Sequence, residues 1–163
     1  MSPLPSSPIN LRYIPNVPEG NHLAGTEGGM YASAKLGLNK PLEVAAQVPG
    51  YVEYQTWRFG EPNNKSTPIV FIPQGEDLQI EIGKIGFHNN SEFPGTIVEL
   101  SLVSDYTIEP VADVFGGQIV FIRPTGHLVG LDYYVGVDKN NHLEIQGFPI
   151  GTTTGLPGWF FRG

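Results

Sequence analysis

The chain of 163 residues contains no cysteine. That excludes disulfide frameworks, thiol chemistry and cysteine-rich zinc sites. Basic residues are few: nine Lys and Arg against 16 Asp and Glu leave a net charge of −7 at pH 7, and no two basic residues are adjacent. A phosphate-binding footprint needs clustered Lys and Arg, so nucleic acid is excluded as a partner. Charged residues of both signs make up 15% of the chain, well below the usual quarter. No apolar run approaches the roughly 20 residues of a membrane helix, so no membrane partner is expected.

Catalytic signatures are missing too. No G-x-S-x-G serine elbow occurs. His22, His88, His127 and His142 show neither H-x-x-x-H nor H-E-x-x-H spacing. Gly28-Gly29 and Gly116-Gly117 lack the following Lys-Ser/Thr and helix of a phosphate loop. Glu76 and Asp77 are neighbours on one predicted strand, so they point to opposite faces and do not pair. Asp138, Asn140, His142 and Glu144 alternate like calcium-loop ligands, but the glycine at the sixth position and the glutamate at the twelfth are absent. Turn chemistry explains them. The expectation is a non-enzymatic protein with no cofactor and no metal.

What is present is turn chemistry and alternation. Gly (21) and Pro (15) are abundant. Leu78–Ile82 alternates, the phase changes at Gly83, and Ile85 and Phe87 follow at odd positions, which predicts either a β-bulge near Gly83 or one strand ending there and a second beginning. Thr96, Val98, Leu100 and Leu102 share one face of the partner strand, with Glu99 and Ser101 on the other. Gln118–Arg123 is continuously apolar at its centre, the pattern of a middle strand covered on both faces. Leu128–Val137 alternates strictly, Asp138–Asn141 is a hairpin turn, and Leu143 and Ile145 lie on the returning strand. Ile69–Ile72, before Pro73, reads as an edge or entry strand. Met30–Leu38 is the one stretch compatible with a helix, stopped at Gly37. The predicted fold class is all-β: an antiparallel two-sheet sandwich, Ig-like or jelly-roll, with an extended N-terminal arm.

The two ends differ from the middle. Pro3, Pro5, Pro8, Pro15 and Pro18 fall within the first eighteen residues, and proline disfavours helix and central strand alike. Residues 1–30 are therefore expected to be an arm, and residues 31–163 the sandwich domain. Leu4, Ile9, Leu11, Tyr13 and Ile14 are the arm's apolar anchors. Trp159, Phe160 and Phe161 form an aromatic tail too costly to leave in water. Both sets are expected to dock on neighbouring subunits. The N-terminus lacks a basic start and an apolar core, so synthesis in the cytoplasm without Sec export is expected. Asn64-Lys65-Ser66 and Asn89-Asn90-Ser91 then read as turns rather than glycosylation sites.

Gly75-Glu76-Asp77 before Gln79-Ile80, then Phe87–Ser91 and Pro94–Leu100, resemble the early strands of bacterial immunoglobulin-like repeats of the cell-adhesion type. Trp57–Pro62 adds to the likeness, which covers about 50 residues. The resemblance implies a sandwich that binds or spaces other molecules rather than catalyses.

Three functions are compatible with these features. The first is a structural subunit that joins other protein subunits, as a homo-oligomer or a larger assembly, in the manner of a virion or phage capsid-decorating or tail protein. The second is a carbohydrate-binding module. There Tyr134, on the polar face beside Gly130 and Gly136, is the candidate ligand residue. The third is a small β-barrel cyclase or isomerase working through an apolar cavity.

Overall fold

A computed structural model describes residues 4–62, 65–74, 83–126 and 130–162. Within them the chain forms twelve strands: β1 Arg12–Val17, β2 Tyr31–Ser33, β3 Glu43–Ala45, β4 Trp57–Phe59, β5 Thr67–Phe71, β6 Ile85–His88, β7 Glu99–Leu102, β8 Asp105–Val114, β9 Gly117–Pro124, β10 Leu131–Val137, β11 Leu143–Pro149 and β12 Leu156–Arg162. Helix is limited to two 3-10 turns, Asn21–Gly25 and Val52–Tyr54. All pairings between strands are antiparallel.

Six strands close a barrel in the order β1, β12, β9, β8, β5, β4. Closure comes from Ile9, just ahead of β1, whose N–H and C=O both pair with Trp57 on β4, at 2.8 and 2.9 Å. The other six strands form three hairpins, β2–β3, β6–β7 and β10–β11. This is the connectivity of a β-trefoil: three four-strand repeats, each giving two strands to the barrel and one hairpin to the cap. The all-β class and antiparallel pairing read from the sequence stand. The pairing does not divide into the two facing sheets of a sandwich.

The repeats meet at a ring of three backbone hydrogen bonds. Leu42 N–H donates to Val98 C=O, Val98 to Leu143 and Leu143 to Leu42, each at 2.9 Å. All three side chains are fully buried. Alternation turns their neighbours outward, so Glu43, Glu99 and Glu144 occupy matching places on the cap.

A second threefold feature links barrel to cap. Trp57 Nε1–H donates to Ala32 C=O and Trp159 Nε1–H to Val135 C=O, each at 3.0 Å. In the middle repeat Tyr106 O–H donates to Asn89 Oδ1 at 2.6 Å. Each bond runs from the last strand of a repeat to its second strand or just past it. Each buried aromatic thus satisfies its polar atom, as a dry core requires. Edge-on ring contacts join them: Trp57 to Phe87 at 4.9 Å, Phe87 to Tyr106 at 6.0 Å, Phe59 to Phe161 at 5.2 Å.

Several local expectations change here. Met30–Leu38 is not a helix: β2 takes Tyr31–Ser33, and its pairing with β3 outweighs a weak helical pattern. β5 is not an edge strand, since it pairs with β4, β6 and β8. Leu102 is exposed despite sharing parity with Val98 and Leu100. The strand expected over Leu78–Ile82 lies outside the described residues, and Gly83 and Lys84 form a turn into β6. Residues 1–30 contain β1, a full barrel strand; Pro15 is tolerated where the β1–β12 register shifts between Ile14 and Val17.

Candidate functional site

The apolar anchors of the arm and the tail lie against each other. β1 pairs with β12 through Arg12 with Phe160 and Tyr13 with Trp159. Ile9, Leu11, Ile14, Trp159, Phe160 and Phe161 are buried within this chain alone; Leu4 and Tyr13 are partly buried against the same core. Successive strand residues alternate faces. Trp159 and Phe161 therefore enter the barrel, while Phe160 turns outward into a small second core with Ile14, Val17, Ala24 and Ile119. The apolar surface expected to seek neighbours is spent on closing the chain's own barrel. Tyr134 is also buried. Its ring lies 4.8 Å from the Arg123 guanidinium, with Phe121 and Phe148 at 5.0 and 5.7 Å. The space beside Gly136 is filled by the Gln146 amide.

The second core has a consequence for the surface. It fixes the inner side of the β1–β2 connection, where Ala24 is buried in a 3-10 turn. The next residues, Gly25, Thr26, Glu27 and Gly28, are exposed. Arg12 reaches them from below. Its side chain is buried, and Nη1 and Nη2 donate to the carbonyl and hydroxyl of Thr26 at 2.8 and 2.9 Å. Thr26 Oγ1 and N–H both bond back to Leu23 C=O. Gly29 has to be glycine, since a Cβ there would lie 2.4 Å from Arg12 Nε and φ is +105°. Charge-assisted bonds of this kind are about twice as strong as neutral ones, so Arg12 braces the loop from beneath.

The β3–β4 connection is held in the same way. Ala46 to Gly50 are exposed. Gln55 is completely buried, and its Nε2 donates to Ala45 C=O at 3.0 Å and Ala46 C=O at 3.2 Å. Asn10 Nδ2 donates to Gln55 C=O at 2.7 Å. At the tip, the N–H groups of Tyr51 and Val52 both donate to Val48 C=O at 3.0 Å.

The two loops stand side by side. Gly25 to Gly29 line one part of a groove of about 580 Å³ and Ala46 to Val48 another, with Tyr31 and Arg162 completing it. A cavity of about 660 Å³ lies at the barrel mouth, lined by Leu4–Ser6 and the β8–β9 turn. The titratable groups displaced from their ordinary range lie elsewhere. Burial pushes the hydroxyls of Tyr13, Tyr106 and Tyr134 up, and burial and then Asp138 push Glu144 up. Among the described residues, no three His, Asp or Glu side chains are grouped to hold a metal ion. What the arrangement offers is two exposed loops, each braced by a buried polar side chain, flanking one groove.

Sequence reading missed this site. In sequence, Gly28-Gly29 suggests a phosphate loop only to fail its test for a following Lys-Ser/Thr, and Pro49-Gly50 reads as a turn. Their shared signal was exposed glycine-rich loops in the first repeat. Nothing in the sequence marks Arg12 and Gln55 as buried supports.

Comparison with known proteins supplies the rest. No curated protein matches the chain. The family model of the peptidase inhibitor clitocypin matches residues 11–161, nearly the whole chain and both loops with their supports. This overturns the virion, capsid-decorating and self-assembling structural role, and with it the carbohydrate-binding and cyclase alternatives; it names a family other than the bacterial Ig-like repeats. The match covers well over half of the chain, and the chain belongs to the peptidase inhibitor clitocypin family.

Proposed function

We propose that this protein inhibits a peptidase by occupying its active-site cleft with the β1–β2 and β3–β4 loops. The observation that carries this is the family match over residues 11–161, which takes in both loops, Arg12 and Gln55. The geometry supports it. Ordering a loop on binding costs about 0.5–1.5 kcal/mol for each immobilised side chain. Here the folding of the inhibitor has met that cost in advance, through Arg12 beneath one loop and Gln55 beneath the other.

The loops block rather than feed the enzyme. Extended peptide ligands are recognised as added strands, by their backbone. Gly28 and Gly29, at φ +78° and +105°, cannot form that strand. The first loop therefore fills a cleft without laying a cleavable bond along it. Inhibition is reversible and the inhibitor stays intact.

The test is a panel of cysteine, serine, aspartic and metallopeptidases assayed against the purified chain. Tight inhibition of at least one, with intact inhibitor by mass spectrometry after prolonged incubation, is expected. Absence of inhibition across the panel at about 10 μM, a weak limit for such a pair, sinks the proposal.

A further inference from the structure

The β8–β9 turn breaks a local rule. Val114 pairs with Gly117, leaving Phe115 and Gly116 as a two-residue loop. Both have positive φ, 49° and 78°. A hairpin turn with two left-handed central residues strongly favours Asn-Gly or Asp-Gly. Gly116 conforms. Phe115 does not: an aromatic residue in that conformation is rare and strained. It is also 54% exposed, so the ring contributes little to the core in return.

Its position is more telling. The ring abuts the first inhibitory loop: a Cβ at Gly25 would lie 2.7 Å from two of its carbons. Arg162 Nε donates to Phe115 C=O at 3.2 Å, and Arg162 also lines the groove between the two loops. The exposed aromatic thus continues the surface of the loop pair. That surface needs extending. The tips Gly25–Gly28 and Ala46–Gly50 contribute four and five residues, against about 20–30 on each side of a standard protease–inhibitor interface. The tips hold no aromatic residue, whereas aromatic anchors dominate binding at such interfaces.

We infer that Phe115 is a third contact with the peptidase, an apolar anchor beside the two loops that inserts into a hydrophobic recess on the enzyme next to its cleft. The inference rests on the inhibitory role proposed above. Departures from local sequence rules concentrate at functional positions, and here the function is to project an aromatic ring where a turn would otherwise hold Asn.

The decisive variant is Phe115→Asn, which suits the turn and removes the ring, with Phe115→Ala as a second. Against a peptidase that the wild-type chain inhibits, both should weaken inhibition at least about tenfold, mainly through faster dissociation. Phe115→Asn should also raise the melting temperature by about 2–4 °C as strain is relieved. Phe115→Tyr, which keeps the ring, should inhibit like wild type. Unchanged inhibition by Asn and Ala variants, with inhibition by the wild-type chain intact, overturns the anchor and leaves the inhibitory role standing. A wild-type chain that inhibits nothing overturns both.

Discussion

Trp57 and Trp159 occupy matching places in the first and third repeats and make the same bond, an indole N–H to a cap-strand carbonyl at 3.0 Å. The connections that lead into them differ. Before Trp57 the chain runs through Ala46–Gly50 and is tied down by Gln55, two residues ahead of the tryptophan. Before Trp159 it runs through Ile150–Gly155, and the residue two ahead is Pro157. Proline has no side-chain donor, and a local turn from Thr152 to Pro149 C=O holds that loop. The frame repeats while its loops have diverged. Where a loop must be presented rigidly, a buried polar side chain stands under it; where it only connects, the core beneath is apolar. Both loops of the proposed peptidase contact belong to the first repeat, with Phe115 of the β8–β9 turn beside them.

This contrast can be broken or sharpened. If the two tryptophans are equivalent, Trp57→Ala and Trp159→Ala should each cost about 3–5 kcal/mol, measured by denaturant unfolding. A large inequality would show that the repeats do not share the load. Next comes Arg12→Met, which keeps the buried stem but drops the bonds to Thr26. It should cost about 1–3 kcal/mol of stability and weaken inhibition at least about tenfold. Inhibition unchanged while stability falls would mean that the first loop does not touch the enzyme. Ile150→Ala, on the exposed counterpart loop, should leave inhibition unaltered and stability within about 0.5 kcal/mol.

The smallest effect concerns Glu144, the third-repeat match of Glu43 and Glu99 on the cap. Burial, and then the charge of Asp138, push its carboxyl above the usual range, with a Gln146 bond opposing them. The folded state therefore holds this proton more tightly than the unfolded chain. Stability from this group is present at low pH and is lost as pH rises through the folded value. Glu144→Gln should raise the melting point slightly at neutral pH and have no effect in acid. A uniform shift at every pH would point to packing instead.

Much of the strand content was legible. Of the strand expected over Leu128–Val137, the part from Leu131 appears as β10, without the expected alternation since Tyr134 and Gly136 are buried too, and the Asp138–Asn141 turn and the return from Leu143 appear where expected. So does the middle position of β9, between β8 and β12, announced by Ile119–Ile122. Barrel closure was not legible, because it depends on Ile9 meeting Trp57, 48 positions away. The threefold repeat was hidden because its marker has drifted: Trp in the first and third repeats, Tyr in the second. The aromatic tail misled for a physical reason. Consecutive aromatics demand burial but do not say by whom, and a strand that divides them between two cores satisfies the demand internally. The site was least legible of all, since its supports are a buried Arg and a buried Gln whose sequence neighbours are unremarkable.

The closed loop of Leu42, Val98 and Leu143 carries a consequence for how the molecule comes apart. Each third of the protein gives one bond to the next and receives one from the third before it, so detaching any one of them severs two bonds and opens the central seam to water. Partial unfolding confined to one repeat is then expensive, and melting should be a single transition with coincident probes. A fold built this way keeps all of its loop surface or none of it, which would suit the inhibitory role proposed for the loops.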